Sequence, residues 1–152
     1  MVYVPALLLS LAASALAVTK NEPPALTYLF SANVTSGNAT VVGQTPLGNR
    51  VVIPVVKGDV AGPKLTGQIL GGTISTTYSS KGVNNADAVY TIRTNDGVNI
   101  LVTEKAHVPN INIWFETASE KYYWLNNVTA YAHEIPSKGV SNIHVYAIGS
   151  IV

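Results

Sequence analysis

The chain of 152 residues contains no cysteine, which excludes disulfides, thiolate catalysis and cysteine-ligated zinc. Charge is scarce too. Nine basic and eight acidic side chains leave a net charge of +1, and they form no basic stripe, so neither nucleic acid nor an anionic membrane is an expected partner. Histidine occurs three times, as His107, His133 and His144, without H-x-H or H-E-x-x-H spacing, so no metal site is expected. There is no G-x-S-x-G nucleophile elbow, and Gly58, Gly62, Gly67, Gly71 and Gly72 never make a G-x-G-x-x-G between strand and helix. Their expected place is in turns. Triad hydrolysis and cofactor-dependent redox chemistry are disfavoured, and no cofactor is expected.

Long apolar runs are also missing, with one exception at the N-terminus. Pro5–Val18 reads PALLLSLAASALAV, shorter than the ~20 apolar residues a membrane span needs. It ends in Ala15-Leu16-Ala17, an A-x-A cleavage signature, so residues 1–17 are expected to be a signal peptide and 18–152 a single domain. The sequons at Asn33, Asn38 and Asn127 agree with a secreted, N-glycosylated protein. Ordinary Asn/Thr-rich turn chemistry would leave the same pattern.

What is abundant is short strand-like runs closed by turn signals, with no convincing helix after the leader. The runs are Leu26–Val34, Arg50–Val56, Leu65–Leu70, Thr73–Ser79, Ala88–Thr94, Asn99–Thr103 and Ile143–Ile151. Asn95-Asp96-Gly97 is a hairpin signal for which a type I′ turn is expected, and Pro54 marks a bulge or an edge. Many short strands with Gly-rich turns mean an all-β fold, an antiparallel sandwich or barrel. Ile111–Asn127, INIWFETASEKYYWLNN, holds both tryptophans. It reads as two strands of one hairpin around a polar turn at Ala118–Lys121, with its indoles lining a cavity. If glycans fix the outward phase at Asn33 and Asn127, then Tyr28, Phe30, Ala32, Trp124, Asn126 and Val128 point inward, while Tyr123 and Leu125 point out; a bulge would reverse part of this.

Three constellations carry possible chemistry. Tyr28, Tyr78, Tyr90, Trp114, Tyr122 and Trp124 would stack a flat or greasy ligand, or simply fill the interior. Asp87, Arg93 and Glu116 lie in strand-like surroundings, where they could polarise a ligand or form cross-strand pairs and face solvent. His107, in a loop near the barrel mouth, with Asn126, could serve as acid or base.

The Ile111–Asn127 stretch, together with TPLGNRVVIPVVKGDVAGPKLTGQILGG (Thr45–Gly72) and DAVYTIRTNDG (Asp87–Gly97), resembles the family called domain of unknown function 3237. The resemblance spans about Leu26–Ile148 and implies a single closed, lipocalin-like (calycin-like) antiparallel β-barrel with a central apolar pocket. In general character it is similar to the secreted fungal hetero-Diels–Alderases of tropolone-sesquiterpenoid biosynthesis. That implies a cofactor-free pericyclase joining a tropolone or phenolic quinone methide to a humulene-type sesquiterpene. Tyr90, Glu116 and Asp87 would then be catalytic, and Tyr28, Tyr78, Trp114, Trp124, Asn126 and His107 would bind substrate. The chain departs from the family where it reads Gly71-Gly72-Thr73-Ile74-Ser75 without a following Trp, and where Val89 replaces an Arg before Tyr90. Both changes imply a smaller or more apolar interior wall. A lipocalin-like carrier of an apolar small molecule is the alternative, and a homodimer is compatible with either.

Overall fold

The computed structural model describes residues 22–134 and 140–151; the expected signal peptide lies outside them. Among the described residues the strands are β1 (Leu26–Ser36), β2 (Thr40–Thr45), β3 (Gly48–Ala61), β4 (Thr66–Tyr78), β5 (Asn84–Thr94), β6 (Asn99–His107), β7 (Asn110–Glu116), β8 (Ala130–His133) and β9 (Val140–Ile148), with a 3-10 helix at Glu120–Asn127. Every pairing is antiparallel, in the order β1-β9-β8-β7-β6-β5-β4-β3-β2, and β1 also pairs with β3. That last pairing closes eight strands into a barrel, which removes the open edges of a sheet. The ninth strand, β2, is a flap on β3.

β3 shows how the closure is managed. One of its sides pairs with β1 over Val55–Ala61 and with β2 over Gly48–Val52. Pro54 sits at the changeover, where a residue without an N–H breaks no ladder, and its carbonyl accepts from the Gly37 amide at 2.8 Å. A register shift in β1 at Thr35/Ser36 marks the same corner.

Three local expectations are corrected. Gly71-Gly72 is no turn: β4 runs straight through it, with a bulge between Ile69 and Gly71 and φ +138° at Gly71. The bulge shifts the inward phase from Ile69 to Ile74 and Thr76. Gly72 lies opposite Tyr90, and a Cβ there would come within 2.5 Å of the Tyr90 Cβ, so the close approach of β4 to β5 requires glycine. The Asn95-Asp96-Gly97 connection has positive φ only at Gly97, and the Thr94 amide donates to Val98 O at 2.8 Å. This is a three-residue loop ending in a left-handed glycine, not a type I′ turn.

The third correction concerns the tryptophans. Trp114 is on β7, but Tyr122–Trp124 belongs to the 3-10 helix. Tyr122 and Leu125 are the buried pair on that helix, and their spacing of three is served by a 3-10 turn, which eclipses i and i+3, not by strand alternation. Leu125 is therefore inside and Tyr123 outside. Phe30 and Ala32 face inward as expected, but a bulge between Tyr28 and Phe30 turns Tyr28 out.

The helix plugs one end of the barrel. Phe30, Ile92, Ile100, Val102, Ile113, Phe115, Leu125 and Val145 form a solid core beneath it, with the Phe30 and Phe115 rings edge-to-face at 6.0 Å. Burying each such side chain contributes about 1.5–3 kcal/mol. Tyr122 donates to Asp96 Oδ1 at 3.0 Å, and Lys121 pairs with Asp96 Oδ2, tying the plug to the β5–β6 loop. The lysine hydrogen bond holds the Asp96 carboxyl well below the usual carboxylate range.

Candidate active site: a carboxylic acid in an apolar cup

Among the described residues nothing plugs the opposite end of the barrel. Alternation along β5 sends Ala86, Ala88, Tyr90 and Ile92 inward, and along β6 Ile100, Val102, Glu104 and Ala106. Each series passes from bulky residues at the plugged end to alanines at the other. Where the alanines stand, the interior is not filled, and a cavity of about 510 Å³ remains, within the ~300–1,000 Å³ usual for small-molecule sites. Its walls include Ile53, Ile74, Val108, Ile111 and Ile143, with Tyr78 and Asn84 among the polar residues. Thr76 Oγ1 donates to Asn84 Oδ1.

Glu104 is the chemically informative residue on the floor. It is 8% exposed, faces Ala88 across the β5–β6 ladder, and accepts a 2.7 Å hydrogen bond at Oε1 from the Tyr90 hydroxyl. Burial pushes its carboxyl up to about 7; the Tyr90 hydrogen bond opposes that rise, and the negative charge of Glu134, another cavity-lining carboxylate, reinforces it. Burial and the neighbouring Glu104 in turn hold the Tyr90 phenol far above its ordinary range. The pair is thus a carboxyl that titrates at about 7, so that both its forms are populated near neutral pH, and a phenol that stays a donor. An apolar cup with such a group on its floor can do acid–base work.

The sequence-derived residues are distributed unevenly around this site. Tyr90 is on the floor through its bond to Glu104, and Tyr78 lies on the wall. Asp87 and Arg93 are exposed on the outer face of β5, where Asp87 stands opposite Lys105 in register. Glu116 is exposed in a shallow outer groove beside Tyr123 and Asn126. Trp114 is 40% exposed on the outside of β7. Trp124 packs against the plugged core with Lys64 5.5 Å from its ring centroid. Tyr28 stacks edge-on against Tyr146 on the outer wall. His107 is exposed at the end of β6. Asn126 clamps Thr117, accepting from its amide and donating to its carbonyl at 2.9 Å each. So Asp87 and Glu116 are placed away from the cavity: the former alternates with Ala86 and Ala88, the latter with Phe115, and alternation turns both outward. Val89 also faces out, so its replacement of an arginine does not alter the interior, whereas Ile74, just after Gly71-Gly72, lines the cavity.

Neither Glu104 nor Glu134 is among the sequence-derived site residues. Ending the β6 strand at Thr103 left Glu104 outside it. Extended to His107, the strand reads Ile-x-Val-x-Glu-x-Ala on one phase, and an acid on the apolar phase of a strand is the available signal.

Comparison with known proteins places these observations in a family. The chain is 45% identical over 126 residues to the hydroalkoxylation enzyme phnH of Penicillium herquei, covering 82% of this chain and 85% of that one. The crystal structure of an enzyme from Penicillium herquei matches with a TM-score of 0.79 at 40% identity, over 86% of this chain and 98% of that chain. A β-barrel-like protein of Acinetobacter baumannii matches equally well in shape, with a TM-score of 0.79 at 25% identity, over 86% and 99% of the two chains. The likeness to named enzymes supports an enzymatic function. The model of the family described as protein of unknown function (DUF3237) matches residues 24–110, and with the barrel, its closure and these relatives in agreement, the chain belongs to that family.

Proposed function

We propose that the protein is a cofactor-independent cyclase that adds a hydroxyl of its substrate across a carbon–carbon double bond of the same molecule, closing an oxygen ring. The observation that carries this reading is Glu104, a buried carboxyl on the floor of an apolar cavity, hydrogen-bonded by Tyr90 and pushed up by burial to about 7. The acid gives its proton to the alkene carbon, the hydroxyl oxygen attacks the cationic carbon so formed, and the hydroxyl proton is released. Tyr90 steadies the carboxylate left behind by its hydrogen bond to Oε1. The apolar walls keep water from competing for the cation, and the cavity holds both ends of the substrate in attacking geometry, worth ~7–11 kcal/mol when alignment is good. The hydroalkoxylation enzyme of Penicillium herquei supports the same reaction class.

A second reading is a hetero-Diels–Alder addition of a tropolone or phenolic quinone methide to a humulene-type sesquiterpene. The same acid favours it: protonating a benzylic hydroxyl would release water, and loss of the conjugated hydroxyl proton from the resulting cation would give the methide. A carrier would have no use for an acid held near neutrality. The deciding experiment incubates the protein with an ortho-allylic phenol, and separately with humulene plus a tropolone quinone-methide precursor. A dihydrobenzofuran formed in enantiomeric excess supports the cyclase, and a stereo-enriched cycloadduct supports the second reading. Binding with product rates equal to buffer leaves the carrier.

Secretion and glycosylation complete the proposal. Asn33, Asn38 and Asn127 are all exposed, as acceptors must be, and Asn38 borders the cavity. A mass loss on treatment with an N-glycan amidase tests this.

A further inference from the structure

Glu134 follows the end of β8, where its amide donates to Pro109 O at 2.9 Å. Its side chain lines the cavity, and its Oε2 is buried with no hydrogen-bond partner. A buried carboxylate oxygen without a donor is costly and calls for an explanation. The described lining holds no Lys, Arg or His, and none of its hydroxyl or amide groups bonds to Oε2. Glu104 is already engaged by Tyr90. The missing donor is therefore expected from whatever occupies the cavity.

We infer that Glu134 is the substrate-side acceptor of the reaction, taking a hydrogen bond at Oε2 from the nucleophilic hydroxyl of an apolar phenol or enol and then its proton as the C–O bond forms. This rests on the cyclase reading and deepens it. The two carboxyl groups then have separate tasks. Glu104 loses a proton to the alkene carbon, the alkene electron pair makes the new C–H bond, an oxygen lone pair makes the new C–O bond, and the hydroxyl proton passes to Glu134. The substrate is isomerised without gain or loss of atoms, and transfer of one proton from Glu134 back to Glu104 resets the site. The inference also names the substrate class: the molecule must present a free hydroxyl, and capping it removes the one group that satisfies Oε2.

The test compares binding of 2-naphthol and 2-methoxynaphthalene to the full-length protein by calorimetry, a measurement that needs no variant. A charge-assisted hydrogen bond predicts about tenfold or greater preference for the naphthol. Equal affinities overturn the inference. Glu134→Gln is expected to reduce the preference to about threefold or less, whereas Glu104→Gln should keep it. A preference that survives Glu134→Gln, or vanishes only with Glu104→Gln, overturns it as well. Failure of the cyclase reading appears separately: the naphthol preference and its dependence on Glu134 would stand while an ortho-allylic phenol is bound and not turned over.

Discussion

The two ends of the barrel are made from the same eight strands, and their difference lies in what those strands send inward. At the plugged end, β5 and β6 contribute Ile92, Ile100 and Val102, and the 3-10 helix adds Tyr122 and Leu125, all buried against Phe30 and Phe115. At the open end the same strands contribute Ala86, Ala88 and Ala106, and these side chains leave a cavity between the walls. Glu104 and Tyr90 lie at the border. That position explains their chemistry: deep enough for burial to push the carboxyl up to about 7, yet in reach of a ligand.

The largest expected effect comes from removing the border acid. Glu104→Gln should lower turnover by about 10²–10⁴-fold, with the thermal midpoint at pH 8 unchanged or higher; loss of both activity and fold would make Glu104 a structural residue instead. Next is truncation in the plugged half. Phe30→Ala should cost about 3–5 kcal/mol in chemical denaturation, because the dense core cannot collapse around the lost ring.

The third effect is in pH. The folded Glu104 holds its proton up to about 7, against 4.5 for the ordinary carboxyl. Between those values the native state binds more protons than the unfolded one, so stability must fall as pH rises through that window. A decline of about 1–3 kcal/mol is expected, and Glu104→Gln should flatten it in urea melts; an unchanged slope would assign the titration elsewhere. If the acid form is the active one, turnover falls over the same upper limb, around pH 7.

Smaller effects probe the open half and the outside. Ala106→Leu adds volume where space exists, so stability should change by about 1 kcal/mol or less, while 2-naphthol affinity drops by about tenfold or more as the cavity fills. A large stability loss would mean that the alanine region is as tightly packed as the plugged end. Asp87→Asn and Glu116→Gln, both on the outer face, should leave stability within about 0.5 kcal/mol and turnover within about twofold. A strong loss in either would restore the outer face as a functional surface.

Much of the architecture is legible in the sequence. Composition and turn spacing indicated an antiparallel all-β chain, and the resemblance indicated a closed barrel. Of the aromatic set, Tyr90 is buried beside Glu104 and Tyr78 borders the cavity while remaining exposed. The errors share one cause. A strand's two faces differ by a single residue, so each bulge or mis-set end exchanges inside for outside. The bulge at Tyr28/Phe30 turned one tyrosine out, ending β6 too early hid Glu104, and reading Tyr122–Trp124 as a strand put Leu125 on the wrong side.

The sequence by itself determined the small-to-large gradient along β5 and β6, the acid on an apolar phase, and the lack of any thiol or nucleophile motif. Those are local properties, and local rules read them. Which end of the barrel stays hollow, and that Tyr90, Glu104 and Glu134 meet there, was decided only by closure. Tyr90 and Glu104 are brought together by the β5–β6 register, and Glu134 by the turn from β8 against Pro109. The elevated proton affinity of Glu104 comes first from walls that exclude water and then from the nearby Glu134 charge, and no single stretch of sequence contains both.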